Sequence, residues 1–218
     1  MIVMPANSGK YLIHYWQGKY GGLGHLYSIK DRRGPFEHLP YAMDNGRFPC
    51  WANDIVWDED EYLEFLGYYQ GKGAMWSLVP DTVGDPYKTI EMWDTWAPKL
   101  FDMGFTLAFA VQDGMTERSV PSEAKVIFVG GSTDWKWDTA PMWAAKFPRV
   151  HIGRVNTYGK LVRCAKLGVE SVDGTGFMRA PDRYDELKQF LVEHSDGKHQ
   201  QKEGVHMAQI RMAFEGHE

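Results

Sequence analysis

Short apolar runs recur along this chain, each closing in polar and glycine residues and most leading into helix-like sequence. Tyr41-Ala42-Met43 leads into Asp44-Asn45-Gly46, and Met75 to Val79 leads into Pro80-Asp81. Thr106 to Val111 reaches Gln112-Asp113-Gly114, Val126 to Val129 reaches Gly130-Gly131, and Val150-His151-Ile152 reaches Gly153-Arg154. The last run, Val169 to Val172, delivers Asp173 into Gly174-Thr175-Gly176. Strands that read as continuous apolar runs belong to parallel sheets, because crossover helices cover the sheet and remove the one-sided alternation. With Ile2-Val3-Met4, which ends near Asn7, the count reaches seven strands.

Helices are predicted near 58–70, from Asp85-Pro86 to about Met103, near 139–147, at 157–167 and at 182–194. Asp58, Glu59, Asp60 and Glu61 open the first of these, where acidic side chains complement the positive end of the helix dipole. Gly104 and Gly168 mark helix stops. The connection around Pro121 to Ala124 is weak. Residues 9–39 read as a long loop, broken by Gly21, Gly22 and Gly24 and closed by Pro35 and Pro40. The eighth strand lies in that region or the barrel is incomplete. The expected fold is therefore α/β, a TIM-type (β/α) barrel, whole or else incomplete or modified, over residues 1–195, with 196–218 a polar tail. Every strand of such a barrel points its C-terminal end at one face, and the chemistry sits there.

At 218 residues with 44% hydrophobic and 24% charged residues, the chain is sized for one substantial core. Nine Trp and eleven each of Tyr and Phe point to an aromatic core, or to rings lining a site for a flat ligand. A net charge of −5 excludes a uniformly basic surface but allows a local basic groove. Cys50 and Cys164 are too far apart in sequence for a metal knuckle or redox pair, so free thiols are expected. No stretch has the length of a membrane span or the layout of a signal peptide, so a cytoplasmic location is expected. His194, His199, His206 and His217 lack companion cysteines, and neither a metal nor a cofactor is expected.

Asp44-Asn45-Gly46-Arg47-Phe48, Pro80-Asp81, Val111-Gln112-Asp113-Gly114, Val129-Gly130-Gly131 and Val172-Asp173-Gly174 together resemble, in order, the motifs of the tRNA-guanine transglycosylase superfamily. The resemblance covers roughly residues 1 to 195. Gly24-His25-Leu26-Tyr27-Ser28, Asp44-Asn45-Gly46 and Phe128-Val129-Gly130-Gly131-Ser132 look closest to the branch that inserts 7-deazaguanine bases into DNA, found in bacteriophages and bacterial modification islands. Each motif alone is a short glycine-containing turn; the ordered set at strand ends carries the likeness.

The resemblance implies replacement of guanine in DNA by a free 7-deazaguanine base without cutting the backbone, in the host cytoplasm if the chain is phage-encoded. It places Asp173 as nucleophile and Asp44 as general base, with Asp81, Gln112, Gly130, Gly131, Asn45 and Phe48 around the purine. Those residue types suit the chemistry. Displacing a base from C1′ passes through an oxocarbenium-like state that a carboxylate stabilises and then captures as a sugar ester. A second carboxylate takes the proton of the incoming base. Asp and Gln match the donors and acceptors of a purine edge, and glycine lets backbone approach a flat ring. Phe109 and Phe177 are further stacking candidates, with core packing as the alternative. Lys30, Arg32, Arg33, Arg47, Arg154 and Arg179, with Lys10 and Lys19, are candidates for phosphate contacts.

The tRNA enzymes of the superfamily carry a zinc site of cysteines and a histidine in a subdomain that helps grip tRNA. This sequence has no such cluster, which shifts the expectation from tRNA toward DNA. Exchange on tRNA, hydrolytic removal of a base, and a non-catalytic binding role on a decayed barrel stay open as alternatives. The presence of both Asp44 and Asp173 argues against decay.

Overall fold

The computed structural model describes residues 1–5, 11–31, 34–179 and 181–195. Eight parallel strands form one sheet: β1 (Ile2–Met4), β2 (His25–Tyr27), β3 (Tyr41–Met43), β4 (Ser77–Leu78), β5 (Leu107–Val111), β6 (Val126–Val129), β7 (Val150–Ile152) and β8 (Ser171–Asp173). Their order is β1-β8-β7-β6-β5-β4-β3-β2. β1 and β2 meet at a parallel bridge between Val3 and Leu23, with Val3 N–H donating to Gly22 O at 2.8 Å and Gly24 N–H to Val3 O at 2.9 Å. That bridge brings the sheet's two edges together into a nearly closed (β/α) barrel. Gly24 makes the approach possible, since a Cβ there would lie 2.6 Å from Pro40 O and 2.8 Å from the Ile2 side chain.

The eighth strand is β2, inside the segment read from sequence as loop. The expectation that the eighth strand lies in that region holds, and the reading of the rest as loop is corrected, because helix α1 (Tyr11–Tyr20) also lies there. A three-residue strand with His at its head, followed by a turn, is too short for periodicity to reveal. The first strand ends at Met4, and Asn7 falls outside the described residues.

Around the barrel run α2 (Arg47–Ala52), α3 (Glu59–Tyr69), α4 (Pro86–Asp102), α5 (Thr133–Lys146), α6 (Tyr158–Leu167) and α7 (Pro181–Glu193). The acidic start of α3 has the structural role expected: Asp58 caps the helix by accepting from Glu61 N–H at 3.0 Å. The Trp-rich helix α5 begins earlier than predicted, at Thr133. Between β5 and β6 there is only a 3₁₀ turn, Glu117–Ser119. Among the described residues no helix covers the step from β2 to β3 either. There Tyr27 stacks on Tyr69 at 4.8 Å and meets Tyr41 edge-on at 5.3 Å, so aromatic rings take the place of a helix.

Side chains alternate across each strand. Leu107, Phe109 and Val111 face the helices, while Ala108 and Ala110 face the barrel axis. Met4, Leu26, Ala42, Trp76, Leu78, Val126 and Phe128 complete the inner core. The large Phe128 ring pairs in register with the small Ala110 on β5. Most of the tryptophans, including Trp93, Trp96 and Trp143, are buried between strands and helices, so aromatic content is chiefly a matter of core packing. Phe109 and Phe177 belong to that core and are not stacking surfaces. Cys50 and Cys164 are free thiols. Among the described residues no helix is long and apolar enough to cross a membrane.

Candidate active site at the C-terminal mouth

Inward parity continues past the strand ends, and it places the candidate residues. Ala42 points inward, so Asp44 does; Ala110 leads to Gln112, Phe128 to Gly130, and Ser171 to Asp173. The period-2 rule thus gathers these residues at one mouth, on four different strands. Asp173 lies near enough for its charge to act on Asp44. Burial, then repulsion from Asp173, then repulsion from Asp81 push the Asp44 carboxyl up to about 7, against smaller opposing contributions from the Gly46 and Asn45 backbone N–H groups.

Asp173 is held by one oxygen. Its Oδ1 accepts from His151 Nε2 at 3.0 Å and from Arg154 N–H at 3.2 Å. Among the described residues no hydrogen bond reaches Oδ2. Two local features make this grip possible. Gly153 allows the close approach, since a Cβ there would lie 3.2 Å from Oδ1 and 3.0 Å from the Phe128 ring. Arg154 then adopts φ 61, a left-handed conformation unusual for a side-chain-bearing residue, which aims its N–H at the carboxylate.

Asp81, Gln112 and Asn45 form a closed network in the wall. Asn45 Nδ2 donates to Asp81 Oδ1 at 2.8 Å and to Val79 O at 3.1 Å, and Gln112 Nε2 donates to Asp81 Oδ2 at 2.7 Å. Gln112 Oε1 accepts from Gly84 N–H, and Asn45 Oδ1 from Arg47 N–H. Burial raises the Asp81 carboxyl above its ordinary value, while the bonds from Asn45 and Gln112 and the nearby Arg47 charge oppose that rise. Asp113, the neighbour of Gln112, instead receives Ser132 N–H at 2.6 Å.

The basic candidates divide. Arg47 is committed within the protein, donating from Nε to Asp81 O at 2.8 Å and lying over the Trp57 ring. Arg154 donates to Gly131 O, and its guanidinium lies 5.0 Å from the Phe48 ring centroid. Since β7 and β3 stand on opposite sides of the barrel, that contact spans the mouth. Phe48, on α2, is 40% exposed. Lys30 and Arg179 are exposed after the ends of β2 and β8. Lys19 is a correction: α1 runs back down from the mouth, so its last turn lies at the opposite face, against Tyr15 and Tyr20. Lys10, Arg32 and Arg33 lie outside the described residues, as do His199, His206 and His217 of the tail.

Two residues were not singled out from the sequence. His151, wholly buried on β7, bonds Asp173. Lys136, 2% exposed on α5, donates from Nζ to Gly153 O at 2.6 Å and so braces the turn that grips Asp173. Each had a signal: His151 interrupts an apolar strand, and Lys136 begins an i, i+4, i+7 stripe with Ala140 and Trp143 that is otherwise apolar.

Burial, then repulsion from Arg154, lowers Lys136 to about 8, with Asp173 pulling the other way. Below pH 8 both folded and unfolded chains hold the proton, and the folded one bears the cost of burying the charge. As pH climbs from 8 toward 10.5 the folded chain sheds the proton first, and wild-type stability rises. Lys136→Met should therefore stabilise the fold at pH 7 by ~1–2 kcal/mol after loss of the Gly153 bond, and by less at pH 9.5. Thermal melts at the two pH values check this; an equal or larger gain at pH 9.5 would refute it.

Among the described residues no group of three or more His, Cys, Asp or Glu side chains is arranged to hold a metal ion. Comparison with protein-family models and with curated proteins finds no match. Solved structures do match in shape. A BexX/CysO complex from Amycolatopsis orientalis aligns at TM-score 0.55 and 12% identity, over 92% of this chain and 89% of the other. A phosphoribosyl anthranilate isomerase, in complex with a reduced ligand, aligns at 0.50 and 14% identity, over 88% and 97% of the two chains. A mutant tryptophan synthase α-subunit from Pyrococcus furiosus aligns at 0.50 and 11% identity, over 88% and 95%. At such identities the likeness is one of fold, and the fold this chain shares with them is the TIM barrel.

Proposed function

We propose that this chain exchanges bases in DNA, replacing guanine by a free 7-deazaguanine through a covalent ester between Asp173 and the sugar. The observation that carries the reading is the pair Asp44 and Asp173, brought by β3 and β8 to one mouth and coupled through their charges. Asp173 Oδ2 attacks C1′ while the C1′–N bond breaks, and the departing base takes its electron pair and a proton from Asp44. The incoming base then returns a proton to Asp44 as its nitrogen attacks C1′ and the ester bond breaks. An acid near 7 gives and takes that proton at neutral pH with little driving force lost either way.

The base would lie beneath Phe48, displacing the Arg154 guanidinium from that ring. The edge of the base would exchange bonds with Asp81 and Gln112, whose mutual bond satisfies both before a base arrives. Exchange of one bond for another costs little, whereas an unpaired buried group would cost about 1–3 kcal/mol. Lys30 and Arg179 are exposed for phosphate contacts at the rim. A paired base must be flipped out to reach Asp173, or the DNA must already be open.

The deciding experiment incubates duplex DNA, single-stranded DNA and tRNA separately with the protein and candidate 7-deazaguanines, then measures base composition. Base exchange in DNA predicts the deazaguanine in DNA with matching loss of guanine. Incorporation only into tRNA would transfer the reading to tRNA exchange. Abasic sites without incorporation would make the chain a hydrolytic glycosylase, and unchanged nucleic acid in every arm would overturn catalysis of this kind.

A further inference from the structure

His151 stands on the axis-facing side of β7, wholly buried, in a barrel interior built mostly of apolar side chains. Its ring stacks on Phe128 at 4.8 Å and meets Trp76 edge-on at 4.8 Å. A polar ring in such a place is tolerated only if both nitrogens are bonded, and both are. Nε2 lies 3.0 Å from Asp173 Oδ1 and Nδ1 lies 2.8 Å from Ser171 Oγ. The strand register builds this arrangement: His151 pairs directly with Ser171, and Asp173 follows two residues on along the same inward face.

We propose that Ser171 and His151 form a buried relay that positions Asp173 and favours its departure from the sugar ester. The catalytic half of this proposal rests on the base-exchange reading. A carboxylate only accepts, so Nε2 carries a hydrogen toward Asp173, and Nδ1 accepts from the Ser171 hydroxyl. With Oδ1 held by His151 and by Arg154 N–H, Oδ2 is the oxygen presented to C1′. In the ester Oδ1 is the carbonyl oxygen and keeps both donors. When the incoming nitrogen attacks and the C1′–Oδ2 bond breaks, its electron pair returns to the carboxylate. The charge that spreads onto Oδ1 then meets donors already in place. No proton leaves His151, which makes it a positioning residue acting through Asp173. The relay assists the second step more than the first, because donors that stabilise a carboxylate improve it as a leaving group without making it a stronger nucleophile.

The test combines single-turnover kinetics with nitrogen NMR of the imidazole. Wild type should show His151 with hydrogen on Nε2 and an unprotonated, hydrogen-bonded Nδ1, a signature altered by Ser171→Ala and by Asp173→Asn. His151→Phe keeps a ring between Trp76 and Phe128 but no donor. It should slow resolution of the protein–DNA adduct roughly tenfold or more, while adduct formation slows less, so that adduct accumulates. His151→Gln, which restores a donor near the Nε2 position, should recover much of the resolution rate. If His151→Phe does not fold, His151→Gln against Ser171→Ala and the imidazole signature still decide the matter. Wild-type resolution in His151→Phe, or hydrogen on Nδ1 alone, would overturn the relay. A wild type that forms no adduct with DNA would instead sink base exchange by covalent catalysis and the catalytic half with it, leaving the NMR to decide the positioning half.

Discussion

Replacing Asp173 by alanine is expected to abolish base exchange and, with it, any band in which protein and labelled DNA migrate together after denaturation. No other carboxylate described at the mouth presents an oxygen gripped as Asp173 is, with Oδ1 bonded to His151 and Arg154 N–H and Oδ2 left open. Loss of turnover should reach ~10⁴-fold or more, the range seen when a nucleophile is removed from a covalent mechanism. Alanine also leaves His151 Nε2 without its acceptor, at a cost of about 1–3 kcal/mol in stability. Asp173→Asn keeps an amide oxygen for both donors and separates chemistry from folding. A stable Asp173→Asn protein that still forms adduct would rule Asp173 out as nucleophile. Adduct formed by Asp173→Ala but missing from Asp44→Ala would make Asp44 the nucleophile instead.

Asp44→Asn is expected to make the protein more stable at neutral pH while slowing exchange by roughly 10²–10⁴-fold. Below about pH 4 Asp44 is protonated in both the folded and the unfolded chain and costs nothing. Between about pH 4 and 7 the unfolded chain releases the proton and the folded chain retains it, so stability falls as pH rises. Above 7 the folded chain carries the full cost of a carboxylate crowded by Asp173 and Asp81. That cost is at most ~4 kcal/mol. Asparagine keeps an oxygen for the backbone N–H groups of Asn45 and Gly46 and carries no charge. The melting-temperature difference between Asp44→Asn and wild type should accordingly be near zero at about pH 4 and grow toward about pH 8. The pH–rate profile of wild type should show an apparent pKa near 7, belonging to the coupled pair, that disappears in Asp44→Asn. A melting difference that is flat with pH would show that Asp44 is not electrostatically strained, and would remove it from the acid–base role.

Much of the barrel was legible in the chain. Seven strands show as mostly apolar runs because both of their faces are buried, and each is bounded by turn residues. β2 escaped because three residues carry no period, and because its closure with β1 depends on Gly24 meeting Pro40 O and Ile2, a contact between residues distant in sequence. The site was legible as positions. Asp44, Gln112 and Gly130 follow strand ends, Asp173 closes β8, and inward parity places all four at one mouth. Their partners were not legible. Arg47 is a phosphate candidate by sequence, whereas the fold holds it over Trp57 and against Asp81 O.

The sequence by itself determined which residues reach the mouth, since strand length and the two-residue period decide which side chain leaves each strand facing the axis. Only the tertiary structure decided how charge and hydrogen bonds are shared among them. The rise of Asp44 to about 7 comes from burial and from Asp173, a residue far along the chain on another strand. The one-oxygen grip on Asp173 needs His151 in register with Ser171, a left-handed Arg154 and a lysine reaching in from α5. Those interactions depend on distances of about 3 Å between separate elements, and side-chain periodicity specifies a face without specifying what lies across it.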